Sequence, residues 1–241
     1  MKLNKPNKYG YIDIGSYINS SYKLKENKKF IIKKIKKKND KSYNLLDIGC
    51  GNGNFINFLQ KIFTNWKFTG VEINKKLFNV CKDRLGKIEN IDFINSDLFD
   101  FKSKKKYDVI ILNGIFGIFD EVLAKKLLYK IIKLINKNGE IFIISQFNNF
   151  DVDVFPKFRL SNTKSRNSLC GGWNIYSKRT IKNWLSKKKV FYKFYKWKMP
   201  FKIKKHLDPI KSWTISTKNG ENILTNGLGL LINLQILIIR K

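Results

Sequence analysis

The sequence is short of several residues on which activity is often built. It holds one histidine, His206, one alanine, Ala124, and three cysteines, Cys50, Cys81 and Cys170. Three cysteines cannot build a full disulfide framework, and nothing near them has metal-ligand spacing. No metal is therefore expected, and a reducing cytoplasm is the expected setting. Long apolar runs are missing too. The longest, residues 228–239, has 12 positions interrupted by Asn233 and Gln235, too short for a membrane span. The opening residues, MKLNKPNKYGYIDIG, contain no apolar stretch of the kind that marks a secretory leader. Acid is scarce as well: 18 Asp+Glu stand against 49 Lys+Arg, a formal net charge of +31 over 241 residues.

What is present points to a folded protein. At 43% hydrophobic and 14% aromatic the chain is too apolar for a disordered polycation. Its length suits one large domain, or one domain with a small elaboration. The charge has two readings. One is a selected nucleic-acid surface. The other is codon bias: Lys, Asn and Ile, with A/T-rich codons, are abundant, while Ala and Arg, with mostly G/C-rich codons, are rare. Arg, present five times against 44 Lys, is also the side chain that supplies most bidentate reading of phosphate and guanine. The charge alone does not choose between them.

Short strand-like runs alternate with helix-spaced segments, the pattern of an α/β fold with a mainly parallel sheet. Residues 16–38 read as an amphipathic helix with Tyr17, Leu24, Phe30, Ile31 and Ile35 on one side. Strands are expected at 43–48, 67–72, 91–95, 107–113 and 140–145. Helices are expected at 54–63, with Phe55, Phe58, Leu59 and Ile62 inward, and at 75–85 and 121–135. Residues 146–176 lack periodicity and read as a long functional loop or cap. Ser177 is placed to cap a helix running to residue 188, with Ile181, Trp184 and Leu185 as its apolar stripe. A strand at 190–198, a hairpin over 213–225 with a type I′ turn at Asn219-Gly220, and a final strand at 234–240 complete the pattern.

The chemistry is concentrated in Leu45-Leu46-Asp47-Ile48-Gly49-Cys50-Gly51-Asn52-Gly53-Asn54-Phe55. A strand carrying an acid near its end is followed by a Gly-x-Gly-x-Gly turn that opens a helix. Glycine lets the backbone turn tightly and approach a ligand, and the helix start offers free N–H groups. The dinucleotide fingerprint requires Gly-x-Gly-x-x-Gly, and here the third glycine comes one residue early. Asp47 would repel a pyrophosphate facing it. An ammonium or sulfonium ligand suits it better.

Residues 45–55 resemble motif I of the class I S-adenosylmethionine-dependent methyltransferases. Further landmarks of that family follow in order: Gly70-Val71-Glu72-Ile73, Ile94-Asn95-Ser96-Asp97 and Tyr107-Asp108-Val109-Ile110-Ile111-Leu112-Asn113. The resemblance covers residues 40–145 well and the remainder more loosely. It implies a Rossmann-like, doubly wound α/β fold with a seven-stranded, mostly parallel sheet of order 3-2-1-4-5-7-6. Residues 1–40 would form an N-terminal lid or helix segment and 41–241 the domain, with substrate-side elaborations at 146–176 and 200–233. The implied cofactor is S-adenosyl-L-methionine. Asp47, Gly49, Cys50, Gly51 and Gly53 would cradle it, Glu72 and Ile73 hold its ribose, and Asp97 and Leu98 its adenine. Asn113 would border the reacting methyl.

Methyl transfer asks little of a protein, because alignment with the electrophilic sulfonium supplies much of the rate; a hydroxyl or protonated amine acceptor also needs a base. The fourth strand ends in Asn113-Gly114-Ile115-Phe116-Gly117, unlike the Asn/Asp-Pro-Pro-Tyr/Phe of enzymes acting on adenine, cytosine or glutamine amino groups. No cysteine follows a proline, so the pattern of RNA cytosine-C5 enzymes is missing too. Candidate bases are His206, in Lys204-Lys205-His206-Leu207-Asp208, and Asp151 and Asp153, which alternate with Val152 and Val154. Solvated loop charge is the plainer reading of all three. Asp120-Glu121 reads as a helix start. Tyr9, Tyr11 and Tyr17, and in the long loop Phe147, Phe150, Phe155, Trp173 and Tyr176, form either a lid over the acceptor or ordinary cap packing. The leading expectation is transfer to oxygen or nitrogen of a small-molecule, sugar or lipid-precursor acceptor. The alternatives are an RNA methyltransferase using the lysines, with salt-sensitive RNA binding, and a non-catalytic cofactor-binding partner subunit.

Overall fold

The computed structural model describes residues 26–35, 41–158, 170–197, 199, 201–205, 207, 211–227 and 229–241. Helix α1 (Glu26–Ile35) precedes β1 (Asn44–Ile48), α2 (Asn54–Ile62), β2 (Lys67–Glu72), α3 (Lys75–Leu85), β3 (Ile91–Asn95) and β4 (Tyr107–Asn113). Then come α4 (Glu121–Leu134) and β5 (Ile135–Asn148). β6 (Lys157–Phe158) and β7 (Cys170–Gly171) form a small antiparallel pair, and β8 (Ile175–Ser177) leads into α5 (Lys178–Leu185). β9 (Phe191–Lys196), the hairpin of β10 (Trp213–Ser216) and β11 (Asn222–Thr225), and β12 (Leu234–Arg240) close the chain. Of the expected helix over 16–38, Tyr17 and Leu24 lie outside the described residues.

The main sheet has the order β3-β2-β1-β4-β5-β12-β9, with β1 to β5 parallel and β12 antiparallel to both β5 and β9. That is the expected arrangement with one correction: the sheet has eight strands, not seven. β4 leaves β5 at Asn113↔Ile144, and β8 pairs in parallel with β5 from Gln146↔Ile175 to Asn148↔Ser177. β12 already holds the other side of β5 there, at Leu234↔Gln146. The eighth strand therefore takes over the flank that β4 vacates, at the C-terminal end of the sheet.

Both sheet faces are covered, which is why the central strands read as continuous apolar runs. Along β4, Ile110 and Leu112 enter one core with Leu127, Leu128 and Ile131 of α4 and Ile181 and Trp184 of α5. Val109 and Ile111 enter the other with Ile31 and Ile35 of α1, Phe55, Ile56 and Leu59 of α2, and Cys81 of α3. This is the period-two alternation of a strand buried on both sides. In α2 the buried stripe contains Ile56, with Phe58 only half-buried. Both stripes fit a helical period, and packing on the sheet selects between them.

Two local expectations are corrected. β5 begins at Ile135, paired with Tyr107; residues 136–139 bulge outward, with Asn138 at φ 66°, before pairing resumes at Val109↔Glu140. The β10–β11 turn is not type I′. Only Gly220 takes a positive φ (73°), donating its N–H to Thr217 O at 3.0 Å, while Thr217 N donates to Glu221 O at 2.8 Å. A three-residue loop ending in a left-handed glycine serves the hairpin equally well.

Candidate active site

Strand order reverses between β1 and β4, and such a reversal opens a crevice at the carboxyl ends of the strands. The turn at residues 49–53 stands there. Gly49, Gly51 and Gly53 have φ of 69°, 61° and 74°. A Cβ on Gly49 would lie 2.8 Å from Ile115 Cγ2, in the loop after β4. The turn is tied to β2 by Gly49 N and Cys50 N, which both donate to Val71 O at 2.8 and 3.2 Å. Glu72, at the end of β2, completes the arrangement: its Oε2 accepts from Gly51 N at 2.9 Å and its Oε1 from Asn74 N at 2.8 Å. A carboxylate oxygen accepts more than one hydrogen bond, so this buried acid keeps capacity for a ligand. Burial raises its pKa above the ordinary glutamate value, against the lowering by its backbone donors.

The other sequence-predicted residues gather at the same end of the sheet. Asp47 is buried, and burial pushes its pKa to about 7, with Lys28 of α1 acting downward and Glu72 upward. Asp97 lies in the turn after β3, its Oδ1 accepting from Phe99 N at 2.9 Å, with half-buried Leu98 beside it. Ile73 is exposed directly after β2, and Asn113 ends β4 half-buried. The Cys50 side chain is buried. Its thiol packs into the core with Cys81 and Phe93, 2.9 Å from where a Cβ on Gly70 would sit. A hydrogen bond with Cys81, and then burial, raise its pKa well above the usual thiol value. Its backbone is what faces the turn.

Residues 39–198 match the family described as a methyltransferase domain. The chain belongs to this family, in its class I, S-adenosylmethionine-dependent form. The chain is 33% identical over 101 residues to malonyl-[acyl-carrier protein] O-methyltransferase 1 of Ilyobacter polytropus, a match covering 42% of this chain and 37% of that protein. The chain thus spans well under half of that relative's length. It is 30% identical over 153 residues to a tRNA (guanine-N(7)-)-methyltransferase of Prochlorococcus marinus, covering 56% of this chain and 68% of that one. In fold it is similar to TehB from Haemophilus influenzae, with a TM-score of 0.58 at 13% identity over 94% of this chain and 65% of that chain.

What the crevice offers suits the cofactor of this class. The left-handed glycine turn brings bare backbone to the crevice, where a side chain at position 49 would run into Ile115. Glu72 has acceptor capacity for ribose hydroxyls, and Asp47 is an acid for a cationic end. An unfolded Asp loses its proton near pH 4 and the buried one near pH 7, so this group lowers stability progressively as pH rises through that window. A cationic ligand favours the carboxylate, so its binding releases a proton near neutrality. S-adenosylmethionine affinity is expected to weaken roughly tenfold from pH 8 to pH 6. Calorimetry in buffers of different ionisation enthalpy measures both effects, and Asp47→Asn should abolish them. A pH-independent affinity in the unaltered chain would refute the assignment.

Among the candidate bases, His206 lies outside the described residues; so do Tyr9, Tyr11 and Tyr17. Asp151 and Asp153 already have structural partners. Asp151 Oδ2 accepts from Arg179 Nη1 at 2.5 Å in an exposed ion pair. Asp153 accepts from Ser177 N (2.5 Å) and Thr180 Oγ1 (2.7 Å), bracing the start of α5, where Ser177 Oγ caps Arg179 N as expected. Asp120 caps α4 through Leu123 N at 2.9 Å. Of the cap aromatics, Phe147 and Tyr176 are fully buried, whereas Phe150 is 75% exposed.

Several participants escape sequence reasoning. Asn174 donates its backbone N–H to Gly117 O at 2.7 Å and its side-chain amide to Phe119 O at 2.6 Å, and Tyr176 Oη donates to the same Phe119 O at 2.7 Å. The cap is thereby fastened to the loop that follows Asn113. Lys28 Nζ stands 5.0 Å from the Phe55 ring centroid, bringing a cation from α1 to the start of α2. Asn74 had a local signal, being an Asn immediately before a helix; its Oδ1 accepts from Lys76 N and Leu77 N. Lys28 and Asn174 had none.

Proposed function

We propose that this chain transfers a methyl group from S-adenosylmethionine to an oxygen or nitrogen of a small-molecule, sugar or lipid-precursor acceptor. The cofactor, when bound, supplies an electrophilic methyl on a sulfonium. Glu72 holds the ribose beside Ile73, Asp97 and Leu98 flank the adenine, and the 49–53 turn with Asp47 receives the methionine end. Asn113 borders the methyl, under the cap that Asn174 and Tyr176 fasten in place. Holding the acceptor atom in line with the carbon–sulfur bond is the main demand on such a site.

The observation that carries the choice of acceptor is the distribution of lysine. Lys67, Lys104 to Lys106, Lys133, Lys137, Lys187 to Lys189 and Lys241 all stand at the end of the sheet where β2, β4, β5 and β9 begin and β12 ends. That is the end opposite the 49–53 turn; Lys28, Lys75, Lys76 and Lys178 stand at the turn's own end, so among the described residues lysine is spread over both ends. Lysines selected to hold RNA would gather at the cofactor mouth. The O-methyltransferase relative also supports an oxygen acceptor. A second reading, RNA as acceptor, is favoured by the tRNA methyltransferase relative.

The test is transfer from methyl-labelled S-adenosylmethionine into extract separated into RNA and small-molecule fractions. Label in the small-molecule fraction is expected. Label confined to RNA would replace the first reading with the second, and intact cofactor binding without transfer to any fraction would point to a non-catalytic subunit.

A further inference from the structure

A second concavity, of about 690 Å³, lies beside the cap between α5 and the edge strand β9. Its size falls in the range of small-ligand sites, roughly 300–1,000 Å³. Lys178, Arg179 and Lys182 line one side, and Tyr192 and Phe194 the other, with Asp151 at the margin. The two aromatic residues are two apart on β9 and so share a face of the strand. Phe194 is anchored edge-on against buried Phe147, with ring centroids 5.1 Å apart, and Lys178 Nζ lies 5.2 Å from the Phe194 centroid.

The charges in this groove are unbalanced. Its single acid, Asp151, is committed to Arg179. Lys178 and Lys182 are one helical turn apart on α5, an arrangement of like charges that is mildly unfavourable on its own. Neither has a carboxylate partner among the described residues. Burial, and Lys196 nearby, push the Lys178 ammonium below the ordinary lysine pKa. Uncompensated cations in a partly desolvated concavity are relieved by an anion, and the aromatic wall opposite offers a surface for a planar ring.

We propose that this groove binds a nucleoside diphosphate portion of the acceptor, with the diphosphate against Lys178, Arg179 and Lys182 and the base against Tyr192. This rests on the small-acceptor reading above. The groove begins at the crevice end of the molecule with Lys178 and runs towards the other end, where Tyr192 is the second residue of β9. Lys178 directly follows β8, the strand that continues β4's side of β5 beyond Asn113. A ligand anchored here can extend its far end across the cap towards the crevice. A groove with three cations and two rings fits a small ligand better than a single nucleic-acid strand, which needs a basic track running past several stacking rings.

Direct binding separates the possibilities, using UDP, uridine, inorganic pyrophosphate and a ten-residue oligouridine as probes in low salt. UDP is expected to bind, with pyrophosphate and uridine each weaker by tenfold or more. The double change Lys178→Gln/Lys182→Gln should weaken UDP at least tenfold and leave S-adenosylmethionine affinity unchanged. Tyr192→Ala should weaken UDP but not pyrophosphate. No UDP binding, UDP binding indifferent to both changes, or much tighter oligouridine binding would each overturn the proposal. A chain that labels small molecules but ignores UDP would overturn the groove alone, while one that binds UDP yet labels only RNA would overturn the small-acceptor reading.

Discussion

Replacing Glu72 by alanine is expected to weaken S-adenosylmethionine binding a hundredfold or more in a chain that still folds. The carboxylate serves two partners at once. Inward it holds Gly51 N and Asn74 N, which fixes the glycine turn against the start of α3. Outward it presents acceptor capacity to the crevice. Hydrogen bonds to a charged group contribute about 1.5–3 kcal/mol each. Losing two to the ribose amounts to roughly 3–6 kcal/mol, and each 1.4 kcal/mol is about tenfold in affinity. Folding should suffer less, because water can enter the truncated site and reach the released N–H groups. Glu72→Gln provides a second comparison. Its amide keeps one acceptor oxygen, but its NH₂ donates where a carboxylate oxygen accepted, so it faces Gly51 N or Asn74 N with the wrong polarity. Calorimetry should place it between the wild type and Glu72→Ala, with circular dichroism showing both variants folded. Unchanged affinity in folded Glu72→Ala would remove Glu72 from the cofactor site.

The parts of this fold that were legible in the sequence are those whose signal is local. β2, α3, β3 and β4 stand at their expected bounds because each run has an unbroken period and a turn signal at either end. The acids and glycines of the candidate site have local signals of the same kind, each sitting at a strand terminus or a turn. What was hidden depends on partners distant in the chain. β8 has three residues, too few for any period, and is a strand only because β4 ends at Asn113 and leaves β5 unpaired on that side. β5 extends back to Ile135 through a bulge at Lys137-Asn138-Gly139, a tripeptide whose local chemistry says turn. Cys50 shows the same dependence on distant partners. Its neighbours are glycines of the turn, but its thiol is claimed by Cys81 and Phe93 from other elements. The engagement of Asp153 with the start of α5 likewise joins residues more than twenty positions apart.

Gly49→Ala is expected to destabilise the chain by about 2 kcal/mol and to impair cofactor binding further, because two separate costs meet at one position. The first is conformational. At φ 69° an L-residue carries a left-handed penalty of about 1–2 kcal/mol wherever its side chain goes. The second is contact. The added Cβ would come within 2.8 Å of Ile115 Cγ2, so Ile115, in the loop after β4, must shift. A double-mutant cycle separates them. Ile115→Ala alone leaves a gap in a partly buried site. Combined with Gly49→Ala it removes the clash and leaves the dihedral penalty intact. The double variant should therefore be more stable than the two single effects added together, by at least 0.5 kcal/mol, as expected for residues in contact. The thermal midpoint of Gly49→Ala should fall by about 4–8 °C, on the scale of about 2–4 °C per kcal/mol for a chain of this size. Cofactor affinity should return only in part in the double variant, since the turn's N–H groups are set by the same dihedral that remains strained. Strict additivity would mean that the Ile115 contact does not limit position 49 and that the glycine is required for its backbone alone.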